Sequence, residues 1–396
     1  MISPSAYLEP LGPIDHPLEN LCEMSAEEIL AAYRVSQLSD VEATFRRLRR
    51  DGRDLSREIE LLQHYLLAYP AENVQRRLRV DAVEQLFYRM HTHVMAHPVW
   101  VHPFFARVAE GNITAEQLAV FARQYFNQVK NTRQCVALAL GRFHTMLNRP
   151  DGELNTILSE LTQMVLAGLL SDEYGTGEAH ACKALQSVGA PVVDIGRLFA
   201  PVTHPALYRR FLAALGASVG EYDVPMLHGV ADNVLVQRIV AGDPAYDELE
   251  ALASVGLGME WGVPAFFSMI MAGIYKVAAQ EGLALDARAM EIWSSHVRQD
   301  VEHAIAVLIA TSFYVSDDVD VKRIEGVTNV LMAYRYDMMS DIYREVFGEP
   351  CDEISKVALD ACYALHDPRI VPLLSVARQR VRPQSVRGYG GYVASR

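Results

Sequence analysis

The chain has 396 residues, 51% apolar and 21% charged, and a net charge of −13. That length can bury a large core as one big domain or two smaller ones, and the composition is that of a soluble globular protein. The acidity excludes a dedicated nucleic-acid binder, which needs a basic face.

The opening residues, MISPSAYLEPLGPIDHP, lack the basic-then-apolar pattern of a signal peptide. Residues 26–36 and 40–68 read as helices, rich in Leu, Ala, Glu, Arg and Gln with apolar residues three and four apart, closed by Pro70. A helix over 82–94 runs up to 97-HPVWVHP-103, where two prolines interrupt it. Thr114 and Gln117 form a capping box that opens a helix through 115–143. An amphipathic helix over 153–174 ends at Gly175 and Gly177. Helices are then predicted at 181–188, 205–219, 223–240, 246–257, 259–279, 286–313, 319–347 and 352–365.

No apolar run reaches membrane-spanning length; 263-VPAFFSMIMAGIY-275 is too short and is followed by Lys276. The Gly- and Arg-rich residues 380–396 read as a flexible tail whose tyrosines could dock on a partner. The five cysteines are scattered, odd in number and without a CxxC, which suits reduced thiols in a cytoplasm. Strand patterns are almost absent and no solenoid repeat is found. The expected architecture is an all-α bundle: an N-terminal helical layer over 1–85, a core over 86–315 that holds the chemistry, and C-terminal helices with a tail over 316–396.

The chemistry is concentrated in 296-HVRQDVEH-303. At roughly 100° per residue, His296, Asp300 and His303 fall at about 0°, +40° and −20° around a helix axis, on one face. Their neighbours Ile292, Trp293, Val297, Val301, Ile305, Leu308 and Ile309 are apolar. Three polar groups against such an interior must be paired or hold a metal. Imidazole with carboxylate suits iron, manganese or zinc. Two other segments offer donors: 172-DEYGTGEAH-180, with Glu173 and His180, and 257-LGMEWGVPAFF-267, with Glu260. Three carboxylates and three imidazoles are enough for two metal ions.

The order Glu … His … Glu … HxxxDxxH, with the DEYGxG turn and the GxE…P helix start, resembles the haem-oxygenase-like diiron oxidases over residues 85–315. The resemblance implies a seven-helix fold with added N- and C-terminal helices, and two iron ions with O2 as co-substrate. Glu173, His180, Glu260, His296, Asp300 and His303 would be the metal ligands. Asp172, Glu178 and Glu302 are candidates to hold the outer imidazole nitrogens. The six residues between Glu173 and His180 match the spacing of the chlamydial branch of the family. Several members also present a glutamate from the first core helix, whereas no Asp or Glu occurs here between Gln117 and Pro150. Gln124, Tyr125, Asn127, Gln134 or His144 would face the pocket from that helix, with Tyr125 the candidate catalytic residue. Lys130, Arg133 and Arg142 on the same helix could hold a substrate carboxylate.

The expectation is an O2-dependent diiron oxidase of a small amine or amino-acid-derived metabolite, giving N-oxygenation or oxidative C–C cleavage. Such enzymes serve specialised-metabolite pathways. A homodimer formed through the N-terminal layer and an external electron donor are compatible with this reading, and neither nucleic acid nor membrane is expected as a partner. Two other readings stand beside it: a metal-independent oxidase or thiaminase-like hydrolase of the same fold, and a non-catalytic binding protein.

Overall fold

The computed structural model describes residues 16–49, 80–143, 153–174, 203–221, 223–354, 367–381 and 385–387. Helix α1 (Ala26–Arg49) runs unbroken through the gap expected after residue 36. No proline or glycine interrupts it, and Tyr33, Gln37, Val41 and Phe45, four apart, continue one buried stripe. Gln37 belongs in that stripe because its Nε2 donates to the Trp261 carbonyl at 2.6 Å. Helix α2 (Val80–Met95) is followed by the break predicted at 97-HPVWVHP-103. There a 3-10 turn (Pro98–Val101) and helix α3 (Pro103–Ala109) each begin with a proline behind a histidine cap. The His97 and His102 side chains accept from the Val99 and Phe104 amides.

Helix α4 (Ala115–Leu140) carries the predicted Thr114–Gln117 capping box in both directions. Helix α5 (Glu153–Glu173) follows, and helix α6 (His204–Ala214) begins behind the Thr203 cap. Helix α7 (His228–Gly242) starts later than residue 223, since Pro225 and Met226 lead into it in extended form.

The two helices predicted over 246–257 and 259–279 are one helical run in three parts. Helix α8 (Glu248–Ala253) passes into a π-helical turn (Ser254–Glu260), then helix α9 (Val263–Glu281). Trp261 N donates to Gly256 O at 3.1 Å, the five-residue step that marks the wider turn. By length and composition alone this run could cross a membrane, but 83% of its most apolar window is buried inside the bundle. Helices α10 (Ala287–Ser312) and α11 (Asp318–Phe347) follow, then α12 (Ile370–Arg380), which the sequence reading assigned to no element.

Among the described residues there is no β-strand, and the bundle is all-α as expected. One isolated parallel bridge joins Met226 to Val386. It corrects the expectation of a free tail at these residues: Met226 N donates to Ser385 O and Arg387 N to Met226 O, each at 2.9 Å. Helix α11 packs along α7 and also meets α4 and the π turn, so it lies against the elements that build the site. The main core gathers Trp100, Phe121, Tyr125, Tyr208, Phe266, Phe267 and Trp293 from α3's approach, α4, α6, α9 and α10. His180, Glu178 and His144 lie outside the described residues.

Candidate metal centre

Helix α10 is amphipathic around Trp293, Val297, Asp300, Ala304 and Val307, all buried on the face turned to α5, α6 and the π turn. His296, Asp300 and His303 project from this face, as their spacing predicts. Helix α5 brings Leu166, Leu169 and Glu173 inward together, so Glu173 ends an apolar stripe. The π turn places Glu260 opposite. Glycines in and just after the turn permit the approach: a Cβ at Gly258 would stand 2.7 Å from Leu331 Cδ1, and one at Gly262, the cap of α9, would run into the Trp100 ring.

Two groups of donor atoms result. Glu173, His204 and His296 form one, and Glu260, Asp300 and His303 the other; within each, one donor atom per residue lies within 4.8 Å of the others. Five of the six residues singled out in the sequence are thus brought together. His180, the sixth, lies outside the described residues, and among those described His204, the first residue of α6, joins Glu173 and His296. The local signal of His204 is 203-THP-205, a Thr cap and a Pro before the apolar Leu207, Tyr208 and Phe211. Sequence reasoning looked for an imidazole close in chain to Glu173, and His204 is 31 positions away.

The three carboxylates are almost sealed from solvent: Glu173 and Glu260 are 3% exposed and Asp300 2%. Burial, then the charge of Glu173, push Glu260 up to about 7 against the opposing charges of His303, His204 and Arg335. Burial and the nearby Glu260 and Glu173 raise Asp300 well above the usual carboxylate range. Burial holds His296 far below its ordinary value. Burial also opposes protonation of His204 and His303, but the adjoining carboxylates outweigh it and leave both raised.

The outer nitrogens are fixed. His296 Nδ1 donates to the Ile292 carbonyl at 2.6 Å, which turns Nε2 toward the cleft. His303 Nε2 donates to Asp172 Oδ2 at 3.2 Å, leaving Nδ1 3.9 Å from Asp300 Oδ1. Of the three candidates for this contact Asp172 is the one that makes it, whereas Glu302 lies on the exposed side of α10 and Glu178 lies outside the described residues.

Glu173 Oε2, His204 Nδ1 and Asp300 Oδ2 are buried with no hydrogen bond among the described residues. The first two approach to 3.1 Å, at ion-pair distance but out of hydrogen-bond alignment. Buried polar atoms left without hydrogen bonds are costly, and bound cations would relieve Glu173 Oε2 and Asp300 Oδ2. The donor set, oxygen and imidazole nitrogen without thiolate, fits iron or manganese and can also hold zinc.

The cleft between the helices is lined by Glu173, His204 and His296, by Glu260 and Asp300 of the second group, and by Tyr125, Gln128, Phe267 and Arg335. About 370 Å³ within it is free of atoms, its opening to solvent included. Of the polar residues on α4, Tyr125 reaches it. Gln124 instead holds the Pro225 carbonyl and the Leu227 amide, Asn127 donates to the Gln124 carbonyl, and Gln134 is exposed. Gln128 was not anticipated; Asn233 donates to its Oε1, and it and Asn131 both donate to Gln237 Oε1, which makes a rigid polar floor. The cations proposed from α4 are engaged elsewhere. Lys130 pairs with Asp223 at 2.6 Å, Arg142 donates to the Gly242 and Tyr246 carbonyls, and Arg133 lies over the Tyr174 ring.

No family model matches the chain. It is similar to a 4-aminobenzoate synthase of Nitrosomonas europaea, with 25% identity over 210 residues, 52% of this chain and 69% of that protein.

Proposed function

We propose that the chain is a non-haem diiron enzyme that uses O2 to oxidise a small amine or amino-acid-derived metabolite, by N-oxygenation or oxidative C–C cleavage. The observation that carries this is the pair of adjoining donor groups. One offers a carboxylate and two imidazoles, the other two carboxylates and an imidazole, all in an apolar interior. Three buried acids, two of them with orphaned oxygens, are poorly explained by packing alone. The likeness to a synthase named for a product with both amino and carboxylate groups supports the metabolite class.

Glu173, His204 and His296 would hold one ion and Glu260, Asp300 and His303 the other. Two ferrous ions bound there would supply the electrons that activate O2. The chain's own contribution is placement and exclusion. The Ile292 carbonyl and Asp172 fix the tautomers of His296 and His303, so each offers one defined nitrogen. Phe267 packs on His296 and Trp293, with ring centroids 5.2 and 4.6 Å apart, and keeps bulk water from that wall. Burial keeps the Tyr125 hydroxyl protonated, and it makes no hydrogen bond among the described residues, so it can donate to a bound substrate.

The test is anaerobic loading with ferrous ion, an iron count, and O2 uptake over a panel of amino acids and aromatic amines. About two irons per chain are expected, with His296→Ala binding fewer. Near-zero iron uptake by the native chain, together with unchanged behaviour of His296→Ala, would remove the diiron reading. O2 uptake without any metal would favour a metal-independent oxidase.

A further inference from the structure

Helix α11 carries a buried cation that the metal centre does not use. Arg335 is 3% exposed and lines the same cleft as Tyr125, Glu260, Asp300 and His296. Its guanidinium lies against the rings of Trp100 and Phe266, 5.8 and 5.6 Å from their centroids. It makes no hydrogen bond or ion pair among the described residues, and Nη1 is buried without a partner. A guanidinium stays charged in proteins, and burying one unpaired costs several kcal/mol. Were its role to neutralise the acids of the centre, an ion pair with one of them would be expected. Arg335 does influence Glu260, lowering its pKa through space, but no carboxylate comes within ion-pair distance.

We propose that Arg335 is the anchor for the carboxylate of an organic substrate, holding it across the cleft from Tyr125 and beside the two donor groups. This specifies the substrate class of the diiron reading and rests on it for the identity of the neighbouring centre. The planar fork of a guanidinium matches a carboxylate bidentately. The cleft, about 370 Å³ free of atoms with its opening to solvent included, has room for a small organic carboxylate. Aromatic walls at Tyr125 and Phe267 suit an organic monocarboxylate. A phosphate dianion would meet three carboxylates nearby and is disfavoured.

Calorimetric titration of the full chain with acetate, benzoate, benzamide and inorganic phosphate tests this, on both metal-free and Mn(II)-loaded protein. Benzoate is expected to bind and its neutral isostere benzamide to bind far more weakly. Arg335→Met should weaken benzoate about 10- to 100-fold, the range of one lost charge-assisted contact, and leave benzamide unchanged. Arg335→Lys should fall between and guards against misfolding of the Met variant, whose helicity and urea midpoint are measured alongside.

Equal binding of benzoate by wild type, Arg335→Met and Arg335→Lys overturns the proposal. So does indifference between benzoate and benzamide, tighter binding of phosphate, or no saturable binding of either carboxylate. The iron count separates the two readings. A chain that takes no iron yet loses benzoate with Arg335→Met keeps the anchor and discards the diiron centre. An iron-loaded chain indifferent to Arg335→Met does the reverse.

Discussion

Glu260→Gln is expected to stabilise the metal-free chain while destroying its capacity for metal. Glu260 is 3% exposed, and its carboxyl sits at about 7 against an ordinary 4.5. A carboxyl whose pKa is raised in the folded state loses its proton first in the unfolded chain. Stability therefore falls as pH rises, from about 4.5 until the folded group has ionised above about 7. The full cost above pH 7 is about 3 kcal/mol, and about 1 kcal/mol of it is already present near pH 5.5. Glutamine has the same shape and never ionises. Urea denaturation with chelator present should show the variant more stable than wild type by about 3 kcal/mol near pH 8 and about 1 near pH 5.5.

Other groups titrate in this window. His204 and His303, both raised, also withdraw stability as pH rises, while His296, strongly lowered, works the other way below its ordinary value. Glu260 itself raises His204, His303 and Asp300, so part of the difference between variant and wild type passes through those groups. With metal present the order should invert, because binding to the folded state alone adds stability that Glu260→Gln forfeits. A variant no more stable than wild type near pH 8, or a gap that does not change with pH, would refute the reasoning.

Three further outcomes follow from the geometry. Asp172→Asn weakens the support of His303 without touching the core, and metal affinity measured by chelator competition should fall about 10- to 100-fold with the urea midpoint little changed. Gly258→Ala drives a Cβ against Leu331 and should cost about 1–3 kcal/mol and part of the iron; adding Leu331→Ala should recover some of the iron, and no recovery would show that the π turn is not held by this contact. Gln237→Leu removes the acceptor shared by Gln128 and Asn131, leaving buried donors unpaired, and should lower stability by about 1–3 kcal/mol for each in urea titration.

Which parts of the centre the sequence reveals depends on how many elements are needed to place a residue. His296, Asp300 and His303 ride on one helix, so a period of 3.6 alone puts them on one face, and the apolar residues between them name that face as inward. Glu173 and Glu260 needed only apolar company, because an acid at the end of a buried stripe must answer to something. The shape of the Glu260 segment was hidden. A π turn keeps the composition of an α-helix, so a change in step at 254–260 reads as the end of one helix and the start of another. His204 and Arg335 were hidden for a different reason. Each is set by packing between elements distant in the chain, α6 against α10 and α11 against the α4–π-turn layer, and no local period records which helices become neighbours. The cations of α4 show the converse error. They were close in sequence to Tyr125 and looked available, yet each found a surface or backbone partner. A guanidinium able to serve the cleft had to come from an element that buries it before any ligand arrives, and α11 is long and, around Arg335, covered enough to do so.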